Sequence, residues 1–334
     1  MAAPHLTFFC ELEAGALEAL LDDALIADLS ALKASLSLGL LDLSERRAGV
    51  VRRLNQAGIP VVAWLLLPRQ QGYWFCLDNA SQAANCYRLF QEWTARHGLQ
   101  WDGVGLDIET HIGDLETLAR ERWRVLPRLV KRIFDRKRLK TGQAAYRALV
   151  SSIRRDGYRV DSYVFPFIVD ERMVESSLLQ RITGWVDLEP DREVLMLYSG
   201  IYRPYGAGLL HSYARQAQSV GLGSTGGGVE SIFPEPPPLT WEELRRDLRL
   251  AWYWCEDLHI FSLEGCIEQG FLERLKLFTW DQPILLPEAA GQRVEGWRRI
   301  LRVVLWVSAR MRAILLGVGV GMLVVRGLRR NLTD

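Results

Sequence analysis

The sequence lacks several features that would assign it to a class of protein at once. Its five cysteines are scattered, odd in number and without C-x-x-C spacing, so we interpret them as small buried side chains in a reducing compartment. The net charge of +1 over 334 residues gives no overall attraction to a polyanion, and we expect no nucleic-acid partner. The first residues show no basic segment followed by a long apolar core and a cleavage site. We therefore predict no signal peptide.

Cofactor signatures are equally sparse. The glycine-rich stretch at residues 221–228 has neither the Lys-Ser/Thr ending of a phosphate-binding loop nor the spacing of a dinucleotide-binding turn. A metal cluster around His111 and the acidic residues before it is an alternative, but no second histidine clusters with it among the five. We expect no cofactor and no metal ion.

What the sequence does contain is an eightfold alternation of short apolar runs with helical patterns. Such alternation is typical of βα units wound around a parallel sheet and, at eight strands, of a closed (β/α)8 barrel. The hydrophobic content of 49% is enough for a large core. The predicted strands are residues 5–12, 34–43, 60–68, 101–109, 159–167, 193–200, 219–226 and 257–266. We assign residues 1–286 to the barrel and residues 287–334 to a C-terminal helical tail.

Local signals place two of the helices. Thr240 followed by Glu243 forms a capping box, and apolar residues then recur at helical spacing. A second helix begins near Ser81 and ends at Gly98, immediately before the fourth strand.

Two segments are not needed for a minimal (β/α)8 barrel. Residues 120–140 hold ten Lys or Arg against two acidic residues, which suits an outer helix with a solvated basic face or a face that lies on anionic lipid. Residues 313–325 carry no charge, although thirteen helical residues rise only about 20 Å and the hydrocarbon core needs about 20 residues. We expect the tail to associate with a membrane, as a short anchor or an in-plane helix, and docking on the barrel is the alternative. Five arginines before this run and three after it favour a barrel on the cytoplasmic side.

The candidate chemistry lies at the end of strand 4, which reads D-G-V-G-L-D-I-E over residues 102–109. Alternate residues of a strand share a face, so Asp107 and Glu109 point the same way, toward the mouth of a barrel. Two close carboxylates repel, and one of them tends to keep a proton at neutral pH, as a general acid requires. Glu109, nearer the mouth, is our candidate acid. The alternative is that both carboxylates satisfy nearby arginines or loop amides.

This strand resembles the D-G-x-D-x-D-x-E signature of glycoside hydrolase family 18, the chitinase-like barrels. Asp102, Gly103, Asp107 and Glu109 match the signature, and Gly105 stands where the family has its middle aspartate. The resemblance implies that Glu109 is the proton donor and adds Asp102 to the candidate site.

A second match follows on strand 6, where M-L-Y-S at residues 196–199 looks like the family's M-x-Y-D. In that family the N-acetyl oxygen of the substrate is the nucleophile, and the resemblance implies that Asp107 and Tyr198 hold it. Ser199 replaces the family's aspartate, the S-x-G-G pattern is missing from strand 3, and strand 8 ends F-S-L-E without the usual tryptophan. The resemblance therefore implies the barrel and the strand-4 chemistry more firmly than the N-acetyl specificity.

Other strand ends offer further groups. Glu264, after strand 8, could be the second carboxylate of an ordinary two-carboxylate glycosidase, or a salt-bridge partner at the rim. Aromatic side chains expected at the mouth could stack on sugar rings; these are Tyr73, Trp74, Tyr202 and Tyr205.

The residues together predict a glycosidase acting on a glycan or glycolipid at a membrane surface. The alternative is a catalytically inactive barrel that binds carbohydrate or a protein partner, because two of the family's aspartates are missing.

Overall fold

Eight parallel strands close into one barrel, in the order in which they occur along the chain. The structure is a computed structural model that describes residues 3–227 and 237–331, without the side chains of residues 122, 124–126 and 312–331. The predicted (β/α)8 barrel is confirmed. Its strands are β1 His5–Cys10, β2 Ser35–Leu40, β3 Val61–Leu65, β4 Gly103–Ile108, β5 Arg159–Val164, β6 Arg192–Met196, β7 Ser219–Gly223 and β8 Asp257–Phe261.

Helices surround the barrel and follow the strands along the chain. A single 3₁₀ turn, Arg69–Gln71, lies between β3 and the helix that follows it. In the described part of the chain the helices are α1 Ala14–Leu20, α2 Asp23–Ala31, α3 Glu45–Gln56, α4 Ala80–His97, α5 Ile112–Arg120, α6 Arg122–Phe134, α7 Arg136–Arg155, α8 Phe167–Met173, α9 Leu178–Thr183, α10 Gly206–Ala214, α11 Trp241–Trp252, α12 Leu263–Glu268, α13 Phe271–Lys276 and α14 Glu288–Asn331.

The two helix signals of the sequence are confirmed. Thr240 and Glu243 form the capping box at the start of α11. Gly98 ends α4 with a left-handed backbone, φ 60°, a conformation that glycine adopts at little cost.

The predicted strands were right in number but too long at their carboxyl ends. The clearest case is β8, which ends at Phe261 instead of continuing to residue 266. Ser262 caps α12 by accepting a hydrogen bond from the backbone of Gly265. Leu263 and Cys266, which looked like strand residues, form the buried side of that helix. The glycine-rich stretch that follows β7 continues to Gly228, and residues 228–236 lie outside the described residues.

Aromatic side chains fill the middle of the barrel. Phe9 of β1, Trp64 of β3 and Tyr163 of β5 are buried and meet edge to face, with the Phe9 and Tyr163 centroids 4.8 Å apart. The Tyr163 hydroxyl shares a 2.7 Å hydrogen bond with Ser37 of β2. This layer separates the polar groups at the mouth from those at the opposite end.

The first half of α14 packs against the barrel. Arg298 is buried and forms a 3.1 Å ion pair with Asp170 of α8, and its guanidinium lies 3.9 Å from the ring centre of Tyr213 in α10. Val294 and Leu305 are buried on the same side of the helix. Docking, the alternative ranked second from the sequence, therefore describes α14 as far as Arg310, which reaches the Val174 carbonyl.

The charge-free run at residues 313–325 is helical in backbone, but its side chains lie outside the described residues. Within the described residues, no helix combines the length and the apolar character that crossing a bilayer demands.

Candidate active site

Three carboxylates meet at the mouth of the barrel. Asp107 is the penultimate residue of β4, and Glu109 follows the end of that strand. Glu11 follows the end of β1, and its charge acts on both. Asp107 and Glu11 are buried, and Glu109 is partly exposed. The grouping of Asp107 with Glu109 agrees with the face shared by alternate strand residues.

The loop after β3 holds the end of β4 in place. Phe75 pairs with Ile108 as a short parallel bridge: its N–H donates to the Asp107 carbonyl at 2.9 Å and its carbonyl accepts from the Glu109 N–H at 3.1 Å. Backbone hydrogen bonds therefore hold the main chain on both sides of Ile108. The two acidic side chains project from a rigid element and not from a free loop.

Burial and mutual repulsion favour the protonated form of these groups. Burial, followed by the charges of Glu109 and Glu11, raises the pKa of Asp107 well above its ordinary range, and the nearby Trp64 indole opposes this by a smaller amount. Burial and then Glu11 raise the pKa of Glu109 to about 8. In the described part of the chain, the charged neighbours that shift either pKa are carboxylates. Both shifts favour the protonated form of Asp107 and Glu109.

Part of this cluster has unused hydrogen-bonding capacity. Asp107 Oδ1 and Trp64 Nε1 are both buried without a hydrogen-bond partner among the described residues. Buried polar atoms of this kind are rare in packed cores and are found where a ligand or water completes the site. Trp64 is one of the three rings of the aromatic layer, and its indole lies close enough to Asp107 to lower the pKa of that carboxyl.

Tyr73 connects the loop after β3 to the carboxylates. Its hydroxyl donates a short hydrogen bond to Glu11 Oε1, and its backbone has the left-handed φ of 63° that non-glycine residues seldom adopt. Burial and the charge of Glu11 raise the pKa of Tyr73, so the phenol stays protonated. Tyr73 thus belongs to the site that the sequence predicted for it, but as a partner of Glu11 and not as an open stacking surface.

Tyr198 lies two residues beyond β6, on the same side as the carboxylates. Its ring contacts Phe261 at the end of β8, with centroids 5.7 Å apart. Burial, and then the charges of Asp107 and Glu109, raise its pKa, so its hydroxyl is a hydrogen-bond donor at neutral pH. The structure thus brings together Asp107, Glu109 and Tyr198, the three residues to which the sequence assigned the main roles.

The two positions that depart from the chitinase-like signature are filled differently. A side chain at Gly105 would meet the Tyr163 hydroxyl at 2.5 Å, so this tyrosine occupies the space of the family's middle aspartate. Ser199 points away from the mouth and donates a short hydrogen bond to Asp247 of α11. Neither departure leaves a gap, and neither places an extra carboxylate beside Asp107.

Asp102 does not join the site. It precedes β4 and therefore lies at the amino end of the strand, opposite the mouth, where it forms a 2.8 Å ion pair with Arg159. Seven residues of extended strand span roughly 23 Å, which keeps Asp102 and Glu109 at opposite ends of the barrel. The prediction that Asp102 belongs with the candidate catalytic residues is corrected by this placement.

Glu264 lies in the first turn of α12, at the rim between β8 and β1. Its Oε1 accepts a 3.3 Å hydrogen bond from the Glu11 N–H, while its Oε2 is buried without a partner among the described residues. Burial raises its pKa, and hydrogen bonds from the backbone and from Ser262 oppose the rise. Glu264 is therefore adjacent to the carboxylate cluster through Glu11, and it forms no salt bridge with a described residue.

The other predicted aromatic residues divide between the mouth and the outer helix. Trp74 packs edge to face on Tyr73 at 5.3 Å. Burial and the charge of Glu109 raise the pKa of Tyr202 to about 12, so the Tyr202 hydroxyl is close enough to the site to interact with Glu109. Tyr205 packs on Trp297 of α14 at 4.7 Å, and with Tyr202 it lines an apolar groove of about 390 Å³ beside the mouth. Tyr205 is thus a groove residue rather than a neighbour of the carboxylates.

Histidine and cysteine make no metal site in the described part of the chain. His111 caps α5 by accepting a 3.1 Å hydrogen bond from Gly113. No group of three or more His, Cys, Asp or Glu side chains among the described residues has the arrangement of a metal site. All five cysteines are free.

Glu11 is the residue that sequence reasoning missed. It stands directly after the apolar run of β1, as Glu109 stands after that of β4. The rule that polar side chains at strand ends face the mouth would have found it if applied to the first strand as well.

Comparison with known proteins supports the fold and no more. No family model matches the sequence, and no curated protein does. Among solved structures, the chain is similar to a glycoside hydrolase family 18 chitinase from Pseudoalteromonas aurantia, with a TM-score of 0.50 and 9% identity over 82% of this chain and 99% of that one. It is also similar to the glycoside hydrolase domain of PgaB (BpsB) from Bordetella bronchiseptica, with a TM-score of 0.47 and 11% identity over 82% and 98% of the chains. An L-ribulose 3-epimerase matches with a TM-score of 0.45 and 12% identity, over 94% and 98%. The likeness to the first of these structures agrees with the barrel fold, and at 9% identity it concerns the fold alone.

Proposed function

We propose that this protein is a glycoside hydrolase in which Glu109 is the general acid. The observation that carries the proposal is the carboxylate cluster at the mouth, where burial and the charge of Glu11 raise the pKa of both Asp107 and Glu109. A partly exposed carboxyl that keeps its proton near neutral pH is suited to protonate the oxygen of a leaving sugar.

The second catalytic role falls to a neighbour of the acid. Asp107 and Tyr198 support the internal route, in which they would hold an N-acetyl group of the substrate as nucleophile. Glu11, which follows the end of β1, supports a two-carboxylate route with Glu109. Glu264 is the next candidate for the second carboxylate, because it accepts a hydrogen bond from the Glu11 N–H. A carbohydrate substrate agrees with the aromatic side chains at the mouth, above all Tyr202 and Trp74.

The test is a matched pair of carboxylate-to-amide variants. Glu109→Gln should lower activity on oligosaccharides, which have poor leaving groups, by about 100-fold or more, and should affect aryl glycosides with good leaving groups much less. Asp102→Asn removes one carboxylate of the same strand at the opposite end of the barrel and should leave both activities within about twofold of wild type. Full activity of Glu109→Gln on every substrate that the wild type cleaves would contradict the proposal.

A carbohydrate-binding barrel without catalysis is the second candidate. It is favoured by the space at Gly105, which Tyr163 fills, since a site built like that of the chitinase-like family would hold an aspartate there. The two candidates separate in one experiment: sugars that bind in calorimetry and are not cleaved over a broad substrate panel support binding alone.

We also propose that the tail holds the barrel at a membrane, with the barrel on the cytoplasmic side. The support is the charge-free sequence of residues 313–325. Because α14 contacts the barrel as far as Arg310, truncation after Met311 removes that run and keeps the packed part of the helix. Full-length protein should sediment with membranes to a greater extent than the truncated chain. Equal solubility of the two without detergent would contradict the tail proposal.

A further inference from the structure

The outer side of α14 exposes an unusual number of large apolar side chains. Their exposed fractions run from 41% to 66%; they are Trp297, Ile300, Val303, Val304, Trp306, Val307 and Met311. Positions 297, 300, 304, 307 and 311 recur every three or four residues, so they form one continuous stripe along the helix. We call these seven side chains the outer face of α14.

The fold of the barrel does not require this face. The helix is already held by its inner side, through the buried Arg298–Asp170 ion pair and the burial of Val294 and Leu305. Single exposed apolar residues are ordinary on protein surfaces, whereas a continuous patch marks a surface that contacts something else.

We propose that the outer face of α14 docks the barrel on the surface of an anionic lipid bilayer, with the helix lying in the plane of the interface. This inference is independent of the proposed glycosidase activity. The tail proposal rests on residues 313–325. This inference concerns residues 297–311 of the same tail, which pack on the barrel.

The charges that border the face favour lipid over a second copy of the chain. Arg299 is exposed along one edge of the stripe. Arg310 follows eleven residues later, about three helical turns, and therefore lies on the same edge. Its guanidinium is 5.0 Å from the centre of the Trp306 ring. Arg293 is exposed in line with the stripe at its amino end. An apolar arc edged by arginines and tryptophans is the pattern of helices that insert at the headgroup boundary of anionic membranes.

The apolar sequence of the helix continues beyond the outer face. Immediately after Met311 and Arg312, the sequence of the same helix has thirteen residues without charge on any side. A partner protein covers one side of a helix, whereas lipid accepts apolar residues all round.

A second basic and apolar element lies near α14. Trp123 and Phe134 of α6 are 85% and 67% exposed, and Lys131 between them is exposed as well. The short helix α9 packs against both α6 and α14, so the two helices are near each other. The basic sequence of residues 120–140 would add electrostatic attraction to an anionic surface.

The experiment is vesicle flotation with the full-length protein. The triple variant Ile300→Glu/Val304→Glu/Val307→Glu places three charges on the outer face, and Leu277→Glu/Leu285→Glu is the matched control, because those leucines are 86% and 93% exposed elsewhere. Thermal unfolding of each variant should match the wild type, since every substituted residue is exposed. The probes are vesicles of phosphatidylcholine alone and of phosphatidylcholine with phosphatidylglycerol.

We expect the wild type and the control to float with the anionic vesicles, at least tenfold more than with the neutral ones, and to be released by salt. The triple variant should lose at least tenfold in flotation. Because it keeps residues 313–325, a triple variant that floats like the wild type overturns the proposal in favour of the tail alone. A wild-type dimer in light scattering that the triple variant converts to monomer, without binding to either vesicle, overturns it in favour of self-association.

Discussion

The two ends of the barrel use carboxylates in opposite ways. At the amino end of the strands, Asp161 is completely buried and forms a 2.8 Å ion pair with Arg159 and a longer one, 3.7 Å, with Arg192. Asp102 pairs with the same Arg159 at 2.8 Å. At the mouth, the charge of a further carboxylate, Glu11, acts on both Asp107 and Glu109.

The difference shows at which end ionised carboxylates destabilise the fold. Burial raises the pKa at both ends, but at Asp161 the two arginines oppose the effect, while at Asp107 the charges of Glu109 and Glu11 add to it. Buried charge is tolerated where it is paired and is unfavourable where it is not. Groups kept in an unfavourable ionisation state within a cavity are typical of active sites, whereas compensated networks are typical of structure. This physical difference supports the proposal that the mouth is the functional end, independently of any resemblance.

The largest effect on activity outside Glu109 should come from Tyr198→Phe. This variant keeps the ring against Phe261 and removes only the hydroxyl that lies in the field of Asp107 and Glu109. If that hydroxyl positions the reacting group, kcat should fall by about 10- to 1000-fold without a change in thermal stability. Steady-state kinetics decide the role: an unchanged kcat with a raised KM would assign Tyr198 to substrate binding only.

At the opposite end, Asp161→Asn should behave in the reverse manner. Loss of its charge leaves Arg159 and Arg192 without their shared buried partner, so the free energy of unfolding should fall by roughly 2 to 3 kcal/mol. Activity at a temperature well below unfolding should stay within about twofold of wild type. Urea unfolding measures the first quantity. A variant that is as stable as wild type would mean that the compensated network contributes nothing to the fold.

The contrast between the ends also explains what sequence reasoning could reach. The eight strands were predictable because a parallel barrel buries both sides of each strand, and continuous apolar runs report that burial. The strand ends were not predictable from the same signal. Leu263 and Cys266 are as apolar as strand residues, but they belong to the buried side of α12.

Within the site, strand position and family motif each predicted part of the group at the mouth. Asp107 and Glu109 were predicted from their alternation at the end of β4, whereas Tyr198 was predicted from the resemblance of residues 196–199 to the family's M-x-Y-D. Asp102 was included because it belongs to the family signature, although a signature of eight extended residues reaches from one end of the barrel to the other. The hydrogen bond from Tyr73 to Glu11 depends on a loop that folds back over β4, and no local pattern in the sequence predicts such a contact.

The raised pKa of Asp107 should be visible as a pH-dependent loss of stability. The folded-state pKa of Asp107 is raised above its unfolded value, so the protein is not destabilised by this group below about pH 4, and it becomes less stable as the pH rises from there toward the folded pKa. Asp107→Asn removes this titration. The variant should match wild type near pH 4 and should be increasingly more stable than wild type as the pH rises toward 8, measured by urea unfolding across that range. A difference that stays constant with pH would show that Asp107 is not held in an unfavourable state.

The smallest expected effect tests whether the carboxylates of β1 and β4 act as one cluster. Burial and the negative charge of Glu11 raise the pKa of Glu109 to about 8. In Glu11→Gln the amide oxygen can still accept the Tyr73 hydroxyl, but the charge is gone, so ionised Glu109 becomes less unfavourable and its pKa must fall. The alkaline limb of kcat/KM should therefore move to lower pH by roughly half a unit to one unit. It should not return to the ordinary range of a glutamate, because burial, the larger cause, remains. Carbon-13 NMR titration of the glutamate carboxyls gives the same quantity without turnover, and Asp102→Asn serves as the control that should leave it unmoved. A Glu109 pKa that is identical in wild type and Glu11→Gln would show that the two strands do not share a proton, and the two-carboxylate route through Glu11 would be excluded.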